Sequence, residues 1–258
     1  MFSESVFDLA SLGMAGAAVA TLVAMTCGGQ RADYGRYWDT TALAKYNLPA
    51  RLAWFVQEVP SMLVPIWLIW TGECTQLWHT GNTVVTAMFV GHYTQRTLIF
   101  PLLIRGGKPT PMHVFLMAFA FTSFNGYLQA GFHGAYAIYD GDRTFWTWDK
   151  LAGIATFLTG MAINIHSDHI LRNLRRPGES GYKIPKGGMF EFVSGANFFG
   201  EIIEWCGYAV VARSWPAWSF ALFTACNIGP RAIAHHNWYK QKFDDYPSSR
   251  RALIPFVL

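Results

Sequence analysis

The sequence predicts an all-α integral membrane protein with seven transmembrane helices, and two observations support this fold class. Of the 258 residues, 52% are hydrophobic and only 14% are charged, which is less charge than a soluble domain of this length carries. A helix that crosses a hydrocarbon core of about 30 Å needs about 20 apolar residues, and seven segments approach that length. They are Val6 to Thr26, Ala50 to Trp70, Leu77 to Ile104, Met112 to Gly131, Thr144 to Leu171, Phe192 to Ala212 and Trp215 to His235.

The first of these segments is expected to be an ordinary transmembrane helix rather than a cleaved signal peptide. Residues 1–7 contain no basic residue, and Glu4 and Asp8 are acidic, whereas a signal peptide begins with positive charge. Gly13 and Gly16 are interpreted as positions of close helix packing.

The second, third and fourth segments carry polar residues in apolar surroundings. Gln57 and Glu58 lie in the second segment, and Tyr93 and Arg96 lie in the third. Because an ionisable group that faces lipid is costly, Glu58 and Arg96 are expected inside the bundle, either as a structural ion pair or as part of a site. The amides of Gln57 and, in the fourth segment, of Asn125 and Gln129 are interpreted as groups that hydrogen-bond across the bundle.

The fifth and sixth segments each carry a polar stripe. Asn164 and Asp168 are four positions apart and therefore share one face of a helix, and Asn197, Glu201 and Glu204 repeat this pattern in the sixth segment. If these groups had a purely structural role, their only function would be to form hydrogen bonds with one another. A buried site explains their number better.

The connections between the segments differ in basic charge, which predicts the orientation of the chain. Sixteen of the twenty Lys and Arg residues fall on one side, at Arg31, Arg36, Lys45, Arg51, Arg105, Lys108, Arg172, Arg175, Arg176, Lys183, Lys186, Arg231, Lys240, Lys242, Arg250 and Arg251. The other side carries Arg143, Lys150 and Arg213. The N-terminus is therefore predicted outside and the C-terminus in the cytosol.

Both polar stripes end beside a cytosolic connection that contains Arg172, Arg175 and Arg176. Arginines suit phosphate oxygens, and amides and carboxylates suit ribose hydroxyls, so this end is predicted to bind a large polar anion such as a nucleotide. The chain has no GxGxxG or GxxxxGK[ST] loop. A metal site is disfavoured because the adjacent His235 and His236 point in different directions and no HExxH is present.

Several long motifs, together with NIHSD and LRRPGE, resemble the steroid 5α-reductase family, the 3-oxo-5α-steroid 4-dehydrogenases. The C-terminal region of that family is similar to VSGANFFGEIIEW at Val193 to Trp205 and RAIAHHNWYKQKFDDYPSSRRALIPF at Arg231 to Phe256. Its N-terminal half is similar to LPARLAWFVQEVPS at Leu48 to Ser61 and HYTQRT at His92 to Thr97. The resemblance covers nearly the whole chain, as one domain of residues 1–258, and the length is similar to that of the type 2 isoenzyme.

The resemblance implies a seven-helix membrane enzyme that uses NADPH to reduce the Δ4 double bond of a 3-oxo steroid. Glu58 and Tyr93 would hold the steroid C3 carbonyl. Trp54 and Trp205 would help to wall the steroid slot.

The resemblance also implies how the chain is shared between substrate and cofactor, with residues 1–110 mainly on the steroid side and residues 144–258 mainly around NADPH. The implied cofactor residues are Gln57, Asn164, Asp168, Arg175, Tyr182, Asn197, Glu201, Arg231, His235 and Tyr239, with Tyr34, Arg96 and Arg105 as accessory contacts. Ala234 departs from the family's pattern, in which a histidine often precedes His235.

The expected partners are a steroid or related enone lipid and membrane lipid, with no metal, no nucleic acid and no obligatory protein partner. The membrane would be the endoplasmic reticulum in a eukaryotic cell and the inner membrane in a bacterium. Three other functions stay open: a reductase of another sterol or enone lipid, a membrane methyltransferase that uses S-adenosylmethionine, and a non-enzymatic lipid transporter. The segment DDYPSSRRALIPF has two interpretations, a cover over the cytosolic opening or a surface tail.

Overall fold

The computed structural model describes residues 3–28, 46–139, 142–176, 178–179 and 181–258. Helices form most of these residues, which confirms the all-α class. The helices are α1 (Glu4–Thr26), α2 (Ala50–Trp70), α3 (Thr80–Thr94), α4 (Phe100–Leu103), α5 (Met112–Ala130), α6 (Asp142–Phe145), α7 (Trp148–Asn173), α8 (Ala196–Ala212) and α9 (Trp215–Lys242), with π-helices at Gln95–Ile99 and Gly131–Tyr136 and a 3₁₀-helix at Gly188–Glu191. Strands β1 (Asn47–Leu48) and β2 (Thr110–Pro111) form one short antiparallel pair.

Each predicted apolar segment overlaps a long helix of the structure, but α7 and α9 extend past the predicted ends at Leu171 and His235. Within the described ranges, α1 and α2 are long and apolar enough to cross a membrane. The seven-span topology and the orientation of the termini stay predictions. The third predicted segment is not one regular α-helix, because the π-helix Gln95–Ile99 separates α3 from α4. Single π-turns inside helices occur frequently at functional sites.

The chain forms two compact units. Unit 1 consists of Met1–Gly13, Arg31–Leu151 and Val211–Ala217, and unit 2 consists of Met14–Gln30, Ala152–Val210 and Trp218–Leu258. Glu58 and Tyr93 therefore belong to unit 1. The polar stripes of α7 and α8 belong to unit 2.

In unit 1, α2 and α5 pack against each other at close range. A Cβ atom at Gly126 would lie 3.0 Å from the Pro60 carbonyl oxygen and 3.1 Å from the Ser61 Cα, so glycine permits this approach. The Ser61 hydroxyl donates to the Thr122 carbonyl at 3.1 Å, and the Thr122 hydroxyl donates to the Gln57 carbonyl. These contacts fix the part of α2 that carries Gln57.

A buried hydrogen-bond network at one end of unit 1, here called the His133 network, consists of Asn82, His133, Tyr139 and Ser214. The Asn82 amide donates to the His133 carbonyl at 2.6 Å, and His133 Nδ1 lies 2.7 Å from the Tyr139 hydroxyl, which donates to the Ala212 carbonyl at 2.9 Å. His133 Nε2 lies 3.4 Å from the Ser214 hydroxyl. The network thus joins the start of α3, the connection after α5, the end of α8 and the start of α9.

In unit 2, α7 and α8 approach each other backbone to backbone through glycines. A Cβ atom at Gly160 would lie 2.3 Å from the Glu204 backbone nitrogen, and one at Gly200 would lie 2.6 Å from that of Asn164. Gly207 has an equally close contact, at 2.4 Å from a backbone nitrogen of α7. Such close approach is typical of small residues in membrane helix pairs, and it sets the register between the two polar stripes.

Candidate active site

In unit 1, Trp54, Gln57 and Glu58 lie on α2, which packs against α3 and the π-helix that follows it. Gln57 is buried, and its amide nitrogen lies 3.4 Å from Glu58 Oε1. Glu58 is half-buried. The structure therefore places a carboxyl group, with an amide beside it, on a helix that adjoins the element carrying Tyr93.

Tyr93 is buried near the end of α3. Its ring packs against Phe89 at 4.7 Å and against His92 at 5.0 Å between ring centroids. An aromatic hydroxyl with a ring held on two sides keeps its position without help from bound substrate, which suits a preorganised hydrogen-bond donor.

Arg96 lies in the π-helix, and it is buried beneath aromatic rings. Its guanidinium carbon is 5.0 Å from the centroid of Trp54 and 4.3 Å from that of Phe100. Cation–π contacts of this kind contribute about 0.5 to 2 kcal/mol. Trp54 thus holds Arg96 and packs on Phe100, a contact that the sequence did not indicate. Arg105 is exposed in the connection after α4.

In unit 2, four of the implied cofactor residues come together as one group, here called the Asn164 cluster (Asn164, Asp168, Asn197 and Glu201). The Asn164 amide donates to the Asn197 carbonyl at 3.0 Å and to Glu201 Oε2 at 3.3 Å. The Asn197 amide donates to Asp168 Oδ1 at 3.4 Å. Asn164 and Asp168 are buried, so the cluster is a preformed set of amides and carboxylates between α7 and α8.

The connection after α7 carries Arg175 and Tyr182. The Arg175 guanidinium donates to the Gly181 carbonyl at 3.4 Å and is otherwise exposed. The Tyr182 ring meets the Trp238 ring edge-on at 4.9 Å. The arginine is therefore available to an anion, while the tyrosine is anchored to the end of α9.

Arg231, His235 and Tyr239 share one face of α9, since they are spaced by four residues. The His235 ring packs against Phe198 of α8 at 5.4 Å. The Tyr239 ring is buried and stacks on Tyr246 at 5.4 Å with an interplanar angle of 5°. This face of α9 is thus held from two sides.

Two of the implied residues stand apart from these groups. Trp205, expected beside the steroid, is 1% exposed and packs among Phe157, Tyr208 and Phe220 in the core of unit 2. Tyr34 lies outside the described residues.

The structure also brings in residues that sequence reasoning did not select. Trp238 and Tyr246 form an aromatic group with Tyr239 and Tyr182, and Ser194 bonds to Tyr246. The close spacing of aromatic residues in the last turns of α9 was the available signal. Within the described ranges, no group of three or more His, Cys, Asp or Glu residues could hold a metal ion.

Buried amides and carboxylates inside apolar helices define this chain as a helical protein with polar sites in its interior, and comparison with known sequences identifies its family. A family model described as 3-oxo-5-alpha-steroid 4-dehydrogenase matches residues 108–258. The 3-oxo-5-alpha-steroid 4-dehydrogenase 1 of Bos taurus is 51% identical over 230 residues, covering 87% of each chain. The Homo sapiens type 1 protein is 49% identical over 228 residues, covering 87% of this chain and 85% of that relative.

The type 2 protein of Sus scrofa is 47% identical over 227 residues, covering 87% of each chain. The chain therefore belongs to the 3-oxo-5-alpha-steroid 4-dehydrogenase family, which is a family of oxidoreductases. The family resemblance seen in the motifs is confirmed. The length is similar to that of the type 2 isoenzyme, but sequence identity does not single out type 2. The two type 1 relatives are 51% and 49% identical to the chain, and the type 2 relative is 47% identical.

Proposed function

We propose that this protein is an NADPH-dependent steroid 5α-reductase, which reduces the Δ4 double bond of a 3-oxo steroid. The observation that carries the proposal is the buried Asn164 cluster in a chain of this family. A preformed set of amides and carboxylates beside exposed arginines is suited to a dinucleotide and has no evident use in a passive lipid carrier.

NADPH supplies a hydride when it is bound, and the residues of unit 2 fit this cofactor. The Asn164 cluster offers hydrogen-bond partners for ribose hydroxyls and a carboxamide. Arg175 and Arg231 offer guanidinium groups for phosphate oxygens. His235 and Tyr239, on the same face of α9 as Arg231, offer rings held in place by Phe198 and Tyr246.

The residues of unit 1 are assigned to the steroid carbonyl. Hydride addition at C5 moves the π electrons of the enone toward the C3 oxygen, and a proton then adds at C4. Negative charge on the C3 oxygen is stabilised by hydrogen-bond donors that are already in place. Tyr93 donates its hydroxyl, and Glu58 donates in its protonated form. Gln57, hydrogen-bonded to Glu58, is assigned to the nicotinamide end.

We further propose the seven-span topology with the C-terminus in the cytosol, and exposed tryptophans support it. Trp70, Trp78, Trp148 and Trp215 are 82%, 92%, 88% and 74% exposed. They lie at or next to the ends of α2, α3, α7 and α9, in or beside the connections that carry few basic residues. Tryptophan is enriched where a membrane meets water. Membrane lipid is therefore a partner, in the endoplasmic reticulum of a eukaryote or the inner membrane of a bacterium.

The test is reduction of testosterone or progesterone by the purified, detergent-solubilised protein with NADPH, with the 5α-dihydro product followed by mass spectrometry. Wild-type protein should form product, and Glu58→Ala should form little while still binding NADPH. Intact steroid in the presence of measured NADPH binding would move the substrate to another enone lipid. Absence of NADPH binding would contradict the proposal and return a methyltransferase or a transporter to consideration.

A further inference from the structure

Residues 246–258 pack against the rest of unit 2 and are not a loose tail. The Ser194 backbone nitrogen donates to the Arg251 carbonyl at 2.8 Å, and the Gly195 nitrogen donates to the Ala252 carbonyl at 3.0 Å. These bonds accompany a short parallel bridge just before α8. The C-terminal segment is therefore tied to the start of the helix that carries half of the Asn164 cluster.

Ser194 joins three elements through its side chain. Its buried hydroxyl oxygen lies 2.7 Å from His236 Nδ1, 2.6 Å from the Tyr246 hydroxyl and 3.2 Å from the Arg251 carbonyl oxygen. A serine hydroxyl has one hydrogen and two lone pairs. Because the carbonyl can only accept, all three contacts are satisfied when Ser194 donates to Arg251 and accepts from Tyr246 and from His236 Nδ1–H.

His236 is held in its neutral form by its surroundings. Burial is the main cause that lowers the pKa of His236, and the positive charges of Lys240 and Arg251 lower it further. A neutral imidazole has one N–H, which the contact with Ser194 uses. The three side chains therefore form one uncharged, mutually satisfied group.

Two members of this group, Tyr246 and Ser194, lie next to implied cofactor residues. The Tyr246 ring lies parallel to the ring of the buried Tyr239 at 5.4 Å. Ser194 stands two residues before the first residue of α8, and Asn197 lies in the first turn of that helix. A shift of Tyr246 or of Ser194 would move Tyr239 or Asn197 directly.

We propose that Ser194, His236 and Tyr246 form a positioning group that holds Tyr239 and the first turn of α8 in the arrangement that binds NADPH. The inference rests on the proposed function, since it assigns Tyr239 and Asn197 to the cofactor. It gives the C-terminal segment the role of a structural support for the cofactor site and not of a surface tail.

Other contacts keep the segment docked when one hydroxyl is removed, so the proposal can be tested in folded protein. Arg250 is 2% exposed, and its guanidinium donates to the Pro185 carbonyl at 2.8 Å and pairs with Glu191 at 3.5 Å. The two backbone bonds of the bridge remain as well.

The experiment compares wild type with Tyr246→Phe, which keeps the stacked ring, and with Tyr246→Leu, which loses both ring and hydroxyl. Tyr46→Phe is the matched control, because Tyr46 is exposed and accepts a hydrogen bond from the Met112 nitrogen through its backbone carbonyl. The readouts are the NADPH dissociation constant, KM for each substrate and kcat at saturating NADPH. Elution volume and thermal unfolding establish that each variant is folded.

Tyr246→Phe should raise the NADPH dissociation constant about 3- to 10-fold, as expected for loss of one hydrogen bond, and Tyr246→Leu should raise it further. The kcat value and the steroid KM should stay within about 2-fold, because Tyr246 is not assigned to the steroid. Ser194→Ala should match Tyr246→Phe, and Ser194→Thr should restore binding.

An unchanged NADPH affinity in Tyr246→Phe and Tyr246→Leu, with active wild type, would overturn the positioning role alone. A parallel loss of kcat, both KM values and thermal stability would also overturn it, because that pattern belongs to general destabilisation. If wild-type protein binds no NADPH, the proposed function fails and the positioning role fails with it.

Discussion

Acidification should destabilise the protein through His133, and the size of the effect follows from the His133 network. The Tyr139 hydroxyl donates to the Ala212 carbonyl, so it must accept from His133 Nδ1–H. Nε2 then keeps a lone pair for the Ser214 hydroxyl. With a neutral imidazole, both ring nitrogens therefore have a hydrogen-bond partner. A proton added at Nε2 would face the hydroxyl hydrogen of Ser214 in a fully buried place.

The sign and magnitude come from proton linkage. Burial lowers the pKa of His133 from 6.5 to about 3, so between these values the unfolded chain binds a proton that the folded chain does not. The stability contributed by the neutral histidine is complete above pH 6.5 and is lost as the pH falls toward 3. Each pH unit in this window costs about 1.4 kcal/mol. Lowering the pH from 7 to 5 should therefore cost about 2 kcal/mol, or about 30-fold in the folding equilibrium.

The assay is denaturant unfolding in one non-ionic detergent at pH 7 and pH 5, for wild type and for His133→Gln. The variant lacks the titrating ring, so its free energy of unfolding should change about 2 kcal/mol less between the two pH values. The difference between the two proteins removes the contribution of the other seven histidines. Equal pH dependence in the two proteins would refute the argument, whatever their absolute stabilities.

Two further substitutions test packing and chemistry separately. Gly200→Ala should cost about 1–3 kcal/mol in thermal or denaturant unfolding, because the new Cβ would lie 2.6 Å from the Asn164 backbone nitrogen and forces an overpacked contact to open. Gly13→Ala should be neutral or stabilising, because no atom lies within 4 Å of its new Cβ; the close packing expected at Gly13 and Gly16 is not found among the described residues. Equal effects of the Gly13 and Gly200 substitutions would contradict the packing argument. Tyr93→Phe should lower kcat on the order of 100-fold with NADPH binding retained, whereas equal loss of both would remove Tyr93 from the carbonyl site.

Much of the helical framework could be predicted from hydrophobicity, but its irregularities could not. The apolar window that begins at Trp215 starts where α9 starts, because polar and apolar composition change sharply there. The π-helix Gln95–Ile99 was not predicted, since one additional residue in a helical turn leaves the apolar composition unchanged. Arg96 is buried as predicted, but its contact with the Trp54 ring was not predicted, because hydrophobicity does not show which side chains meet.

The candidate site shows the same division between spacing and packing. The spacing of Asn164 and Asp168 placed them on one face of α7, but their contact with Asn197 depends on the register of two helices. That register is set by backbone contact at glycines, which no periodicity reveals. Trp205 lies in the core of unit 2, and its place beside the steroid stays a prediction, since composition does not separate a ring that packs in a core from one that contacts substrate.

The start of α8 explains in physical terms why a long motif, and not single residues, carries the family resemblance. Ser194 ties this segment to the C-terminal residues, and a Cβ at Gly195 would lie 2.8 Å from a side chain of α9. Asn197 and Glu201 face the polar stripe of α7, while Gly200, between them, sets the distance to that helix. Support, close packing and the polar groups proposed to bind the cofactor therefore alternate residue by residue, so a substitution at a packing position changes the geometry of the polar groups beside it.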